Sequence, residues 1–344
     1  MKIFTNLFFG LVLFLASFVL LWWNEGNNAK NIATAAYINK KAVQIESTQI
    51  KESNNNSLVA VTGSATTDST LEDINIKMPQ ALVLDRTVEM YQWEEKEDEN
   101  SSNKYEYTKV WSKSKIDSDS FHDKQHNNPD FPIETMKFYA DSAKLGAFDL
   151  EIEQIKKIRP EKDIYNLPLN KKYSIEGGKY FSGRDIQSPE IGDILISYSY
   201  APSGTKISLI GKQSSNYITP FNYKNRSNYI QYNGSLTKEG IIKKYKHENV
   251  ILTMLLRFAG WLIMFFGLKL LISPIEKIFG FIPLLGGIAT GISSFIVMLI
   301  SLVLSLITMA IAWFIYRPII SIILIAISLG IVKIIKDKQV SNAQ

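Results

Sequence analysis

The chain has 344 residues, 38 Lys+Arg against 33 Asp+Glu, and no cysteine, which excludes disulfides, thiolate catalysis, iron–sulfur clusters and cysteine zinc sites. Residues 24–246 hold 30 basic and 30 acidic side chains, so the whole net charge of +5 comes from the flanks of apolar segments; without a basic stripe on a folded domain, nucleic acid is set aside as a partner. A mean hydropathy near zero averages two apolar ends over a polar middle, as in an integral membrane protein. Richness in Lys, Ile and Asn points to an AT-rich, prokaryotic genome.

Residues 3–23 form the first apolar run, matching the roughly 20 residues that a membrane span needs. It ends in Trp22-Trp23, which suit the headgroup interface, and lacks the small-residue site of a cleaved signal peptide. Residues 1–23 are therefore read as a retained anchor. Ala29, Ala33, Ala35 and Ala36 follow and favour helix, so the anchor helix is expected to continue some way into the polar domain.

That domain is residues 24–246. Residues 82–95 and 103–113 read as paired strands. In the second, Tyr105, Tyr107, Lys109 and Trp111 alternate with Glu106, Thr108 and Val110, a period of two. Further strands are expected at 58–62, 193–200, 205–212 and 227–232. Residues 133–143 and 149–158 read as short helices, the second stopped before Pro160. Gly177-Gly178 and Ser203-Gly204 read as turns. The domain is thus α+β and strand-rich.

Chemistry-bearing candidates in it are few. His122 and His126 stand at i, i+4 with Asp123 between them, the spacing that puts two imidazoles on one helix face for a metal. Asn127-Asn128-Pro129 follows at once and favours a turn. No metal ligand set and no cofactor is predicted. The acidic run 94–99 lacks the ligand order of an EF-hand and reads as a solvated hairpin tip. Tyr91, Trp93, Tyr105, Tyr107 and Trp111 offer a platform for sugar or peptide, but cross-strand packing explains them more cheaply. Asn55, Asn100, Asn225 and Asn233 begin N-x-S sequons, which matter only in a eukaryotic secretory path.

The C-terminal membrane region is residues 250–335. Its first span, 250–273, contains Arg257, with Trp261 one turn on. A central Arg costs about 2.5–3.5 kcal/mol on insertion scales, so Arg257 either snorkels to the interface or faces a bundle interior. Residues 279–285 read as interfacial or re-entrant, and a span follows at about 287–313. In it Gly287 and Gly291, then Ser301 and Ser305, repeat the small-residue spacing that lets helices approach closely. Tyr316-Arg317-Pro318 reads as a turn, and 319–335 as the last span before a basic tail, 336–344. Four transmembrane helices, one N-terminal and three C-terminal, put both termini on one side. The cytoplasmic side is favoured for them and the extracytoplasmic side for residues 24–246, since long translocated domains escape the positive-inside rule.

Several strings together resemble the transmembrane protein 43 family, also called LUMA. They are Trp23-Asn24-Glu25-Gly26; Val88-Glu89-Met90-Tyr91-Gln92-Trp93; His126, Asn128 and Pro129; and Gly192-Asp193 before Ser197-Tyr198-Ser199-Tyr200. Pro220-Phe221, Arg257 with Gly260-Trp261, Met264 and Gly267-Leu268, and Trp313 with Tyr316-Arg317-Pro318 complete them. The resemblance runs nearly end to end. It implies four spans with a lumenal or extracytoplasmic domain between the first two. In animals the family is similar to a scaffold of the endoplasmic reticulum and inner nuclear membrane, associated with self-oligomers, emerin and lamins. It implies no catalytic residue. Glu89, Tyr91, Trp93, His126, Pro129, Trp261 and Pro318 enter as structural or interface positions. Glu25 is expected near Lys30 and Lys243–Lys246, and Arg317 near interfacial carboxylates or lipid phosphate. An exposed pair there contributes about 0–1 kcal/mol.

Three functions compete. The favoured one is a non-enzymatic, self-oligomerising multi-pass scaffold whose partners are the lipid bilayer, further copies of the chain and unidentified proteins. The second is a transport or channel component with Arg257 in its path. The third is a membrane-tethered metal-dependent enzyme at His122 and His126.

Overall fold

The apolar run at the N-terminus is only the first half of a helix. The computed structural model describes residues 2–74, 76–97, 104–279, 286–318 and 322. Among these, four α-helices form: α1 (Lys2–Lys41), a single turn α2 (Ile152–Ile155), α3 (Lys238–Phe279) and α4 (Gly286–Tyr316). At 1.5 Å per residue α1 is about 60 Å long, roughly twice the hydrocarbon thickness. Residue 23 is therefore a boundary of polarity and not of secondary structure. Helix α3 likewise starts well before the apolar run at Val250. Thr237 caps it, its hydroxyl accepting from the Gly240 N–H at 3.2 Å.

Helices α1, α3 and α4 are long and apolar enough to cross a membrane. That makes three among the described residues and not the four expected; the fourth expected span (319–335), the tail (336–344) and residues 280–285 lie outside them. The chain divides into two compact units: Met1–Lys40 with Ile242–Gln344, and Lys41–Ile241.

The second unit is built almost wholly of strands. Strand β1 (Val43–Glu46) runs parallel to β2 (Leu58–Thr66). A small hairpin, β3 (Thr70–Asp73) and β4 (Ile76–Pro79), leads into a long one, β5 (Ala81–Glu97) and β6 (Tyr105–Ser112). Then come β7 (Met136–Tyr139), β8 (Ala143–Leu145) and β9 (Phe148–Leu150). After α2 follow β10 (Lys162–Ile164), β11 (Ser174–Glu176), β12 (Lys179–Phe181) and β13 (Ile194–Pro202). The last are β14 (Thr205–Ser214), β15 (Tyr217–Thr219), β16 (Phe221–Tyr223), β17 (Arg226–Asn228) and β18 (Ile230–Asn233).

Two sheets result. In the first, hydrogen bonding runs β2-β8-β9-β15-β14 and returns from β14 to β2, so five strands close a ring that β1 and β18 extend. Val59, Val61, Leu145, Phe148, Leu209 and Ile218 fill its core, with Ile155 and Ile158 packed against them. Each such side chain contributes about 1.5–3 kcal/mol when fully buried. The second sheet runs β11-β12-β13-β5-β6, with β10 on β13 and β7 on β5. Its core holds Leu84, Val88, Met90, Tyr180, Ile196 and Tyr198. Gly177 and Gly178 turn β11 into β12 at φ +55 and +77, a conformation that suits glycine.

The strands read from the sequence are present, the last of them divided between β17 and β18. The two helices are corrected. Residues 136–139 pair with β5 from Arg86 to Val83, so β7 lies where helix is expected. Of residues 149–158 only Ile152–Ile155 turn helical, because Phe148–Leu150 is already committed to β8. In both places tertiary pairing overrides a weak local preference.

Candidate functional site

An acidic residue that follows a membrane anchor must keep water or find a partner. Glu25, fully buried on α1, finds one on α3. Arg257 Nε lies 2.6 Å from its Oε1 and Arg257 Nη2 lies 3.0 Å from its Oε2. Such a two-toothed contact is the strongest form of this ion pair. From α4 the Trp313 indole N–H donates to Oε2 at 2.5 Å. Three helices therefore converge on one carboxylate.

Around it the helices α1 and α3 run antiparallel and are linked by a polar ladder. Asn24 donates to the Thr253 carbonyl at 3.0 Å, and Asn31 donates to Asn249 at 2.5 Å. Toward the other end small residues take over. A Cβ on Gly267 would lie 2.6 Å from the Phe14 backbone N, and one on Gly10 would lie 2.9 Å from Leu270 Cβ. This close approach is what glycine permits between membrane helices. Ser301 and Ser305 of α4 are fully buried, and the Ser305 hydroxyl reaches Met264 Sδ at 3.3 Å. Gly287 and Gly291 lie in α4, but their packing is outside the described residues.

Glu25, Arg257 and Arg317 come together on Trp313, with the two guanidinium carbons 5.8 Å and 5.2 Å from its ring centroid. Arg257 faces the bundle and does not snorkel, and Glu25 pairs with it instead of Lys30 or Lys243–Lys246. Trp261 packs on Phe258 at 5.6 Å, and its indole N–H is buried without a partner among the described residues. Helix α4 ends at Tyr316, and Pro318 is exposed. Tyr316 was not singled out by itself, yet its ring occupies the notch above Gly26, where a Cβ would lie 2.8 Å away.

In the strand-rich unit Glu89, Tyr91 and Trp93 share the outer face of β5, while Met90 and Gln92 point inward. Glu89 pairs with Lys179 at 2.9 Å. Tyr91 packs on Trp111, and the Lys109 ammonium lies 4.8 Å from the Trp93 ring. Beyond the point where β13 leaves β5, Asn128 takes over that edge. It accepts from the Trp93 N–H at 2.7 Å and donates to the Trp93 carbonyl at 2.9 Å. Pro129 lies against Gly192, 3.1 Å from where a Cβ would stand.

The histidines serve this docking. Residues 122–126 are bends and turn, so the helical i, i+4 arrangement does not form. His126 stacks on Tyr107 at 3.9 Å and meets Trp93 edge-on at 4.4 Å, while His122 stacks on Tyr105 at 3.7 Å. Among the described residues no three His, Asp or Glu side chains converge as metal ligands. Glu95 joins the two parts: it accepts from the Tyr107 hydroxyl at 2.5 Å and the His122 N–H at 2.6 Å. Burial works to raise its carboxyl, but these hydrogen bonds and the His122 imidazole together hold it below its ordinary value. Burial, then the bond to Glu95, raises the Tyr107 hydroxyl, so it stays a donor.

A family model described as Transmembrane protein 43 matches residues 90–318. The chain is 28% identical to the Transmembrane protein 43 homolog of Drosophila melanogaster over 335 residues, covering 91% of this chain and 89% of that protein. It is 28% identical to Transmembrane protein 43 of Homo sapiens over 353 residues, covering 94% and 88%. No solved structure matches.

Proposed function

Since the chain belongs to the transmembrane protein 43 family and is a membrane protein, we propose that it acts as a self-oligomerising multi-pass scaffold. Its strand-rich domain is the part that engages partner proteins. In this reading residues 319–335 form a fourth span, both termini are cytoplasmic, and the domain is lumenal or extracytoplasmic.

The observation that carries the reading is the locked state of the helical unit. Arg257, the side chain a transport path would need, is held by Glu25 through two bonds. The buried hydroxyls of Ser17, Ser301, Ser305 and Thr308 are turned back onto the carbonyls of their own helices. A bundle fastened this way suits a rigid support better than a moving one. Apolar side chains such as Phe295, Leu299, Val303 and Leu306 stay exposed on α4, which leaves surface for lipid or a second copy.

Light scattering of the full chain in mild detergent, corrected for bound detergent, tests this. A defined oligomer that Gly291→Leu disperses supports the scaffold, and a strictly monomeric particle at all concentrations sinks it. A reporter at the C-terminus that is accessible only from outside the membrane would overturn the four-span topology.

A further inference from the structure

Of the two guanidiniums at the Trp313 ring in the helical unit, only Arg257 is hydrogen-bonded to the Glu25 carboxylate. Both Glu25 oxygens are occupied, Oε1 by Arg257 Nε and Oε2 by Arg257 Nη2 and the Trp313 indole. Arg317 stands at the same ring, yet its Nη2 is buried with no acceptor among the described residues. No helix carbonyl among the described residues accepts from it. The Trp313 carbonyl already takes the Arg317 backbone N–H at 2.8 Å. A guanidinium with unfilled donors in a membrane protein carries a penalty unless its accessible edge finds an acceptor.

The surroundings say what that acceptor is. Trp22 and Trp23 on α1 and Trp313 and Tyr316 on α4 form an aromatic collar, with Trp22 and Tyr316 in edge contact at 6.0 Å. Aromatic collars mark the headgroup level, where the plentiful acceptor is phosphate. The planar fork of Arg matches two phosphate oxygens. The rest of the Arg317 side chain is half-buried, so a headgroup can reach its edge.

We propose that Arg317 binds the phosphate group of a membrane lipid at the headgroup level, beside Trp313, while Glu25 keeps Arg257 from competing for it. The site requires only the family's membrane location, not an oligomer.

The test is thermal unfolding of the full chain in mild detergent at constant ionic strength, with three additives. Dioleoylphosphatidylglycerol supplies lipid phosphate, dioleoylglycerol the same chains without phosphate, and inorganic phosphate the anion alone. Expected is a saturable rise in midpoint of about 2–4 °C with the phospholipid and none with the other two. Arg317→Gln should lose the rise, Arg317→Lys should keep a smaller one, and Lys269→Gln should keep all of it. An equal rise with dioleoylglycerol, an undiminished rise in Arg317→Gln, or no rise with the phospholipid would overturn the site. A rise with inorganic phosphate as large as with the lipid would reassign it to free phosphate and overturn the lipid source. If Arg317→Gln does not fold, Arg317→Lys decides: a rise equal to that of the native chain counts against the forked contact.

Discussion

Asp73–Arg86 in the strand-rich unit and Glu25–Arg257 in the helical unit are each a carboxylate, a guanidinium and an aromatic donor. The Tyr198 hydroxyl donates to Asp73 at 2.7 Å as the Trp313 indole donates to Glu25 at 2.5 Å. Arg86 lies 2.6 Å from Asp73, with both side chains under a tenth exposed. The difference is in what else each guanidinium can find. Arg86 also donates through Nε to the Glu134 carbonyl at 3.0 Å, because a loop between strands leaves carbonyls free. In the bundle the acceptor an arginine finds among the described residues is a side chain, the Glu25 carboxylate. That one carboxylate meets two arginines, and Arg317 is left over. Irregular backbone thus gives Arg86 a second acceptor of a kind that Arg317 does not find among the described residues.

Glu25→Leu should do the most damage. It strands Arg257, at a cost of about 3–5 kcal/mol, read as a lower thermal midpoint and faster hydrogen exchange around residues 249–261. Glu25→Leu with Arg257→Leu should recover most of the loss; a double variant no better than the single one would deny that the unpaired charge is the cause. Asp73→Leu should cost less, about 3 kcal/mol, since Arg86 keeps its loop carbonyl. Equal losses at the two sites would remove the role given to Glu134. Trp313→Phe and Tyr198→Phe each delete one donor to a carboxylate and should cost about 1.5–2 kcal/mol, measured by the same exchange.

The smallest effect concerns pH. Glu95 is lowered in the folded chain, so its contribution is complete above the unfolded carboxylate value and is lost as pH falls through the folded one. Protection of residues 117–128, corrected for intrinsic exchange, should hold from neutral pH into the ordinary carboxylate range and fall below it. Glu95→Gln should flatten that dependence.

Alternation carried the strand reading well. Tyr105, Tyr107 and Trp111 announce β6, and the turn at Gly177-Gly178 is visible in two letters. Residues 136–139 are not legible locally, because their extended form is imposed by β5. The site was legible in its members and not in its partnerships. Glu25 and Arg257 are 232 residues apart, and no short-range pattern links them. One signal was available: Glu25 is the sole acidic residue among the first 45, and an arginine within an apolar helix needs a carboxylate at its depth. The pairing of α1 with α3 through Gly10 and Gly267 left no such signal, since either glycine alone reads as a neutral position.

The strand ring has a consequence for how the chain is made. Strand β2 closes onto β14, with Thr62 and Ser208 bonded across 146 residues of sequence. At about 5–20 residues per second, roughly 7–30 s of synthesis separate those partners. Through that interval Leu58-Val59-Ala60-Val61 has β1 beside it but lacks the β14 edge, and contacts so distant in sequence form slowly. The first sheet therefore stays open until β14 emerges, and a stall in translation before β14 would leave an unclosed sheet edge on a fragment held by α1.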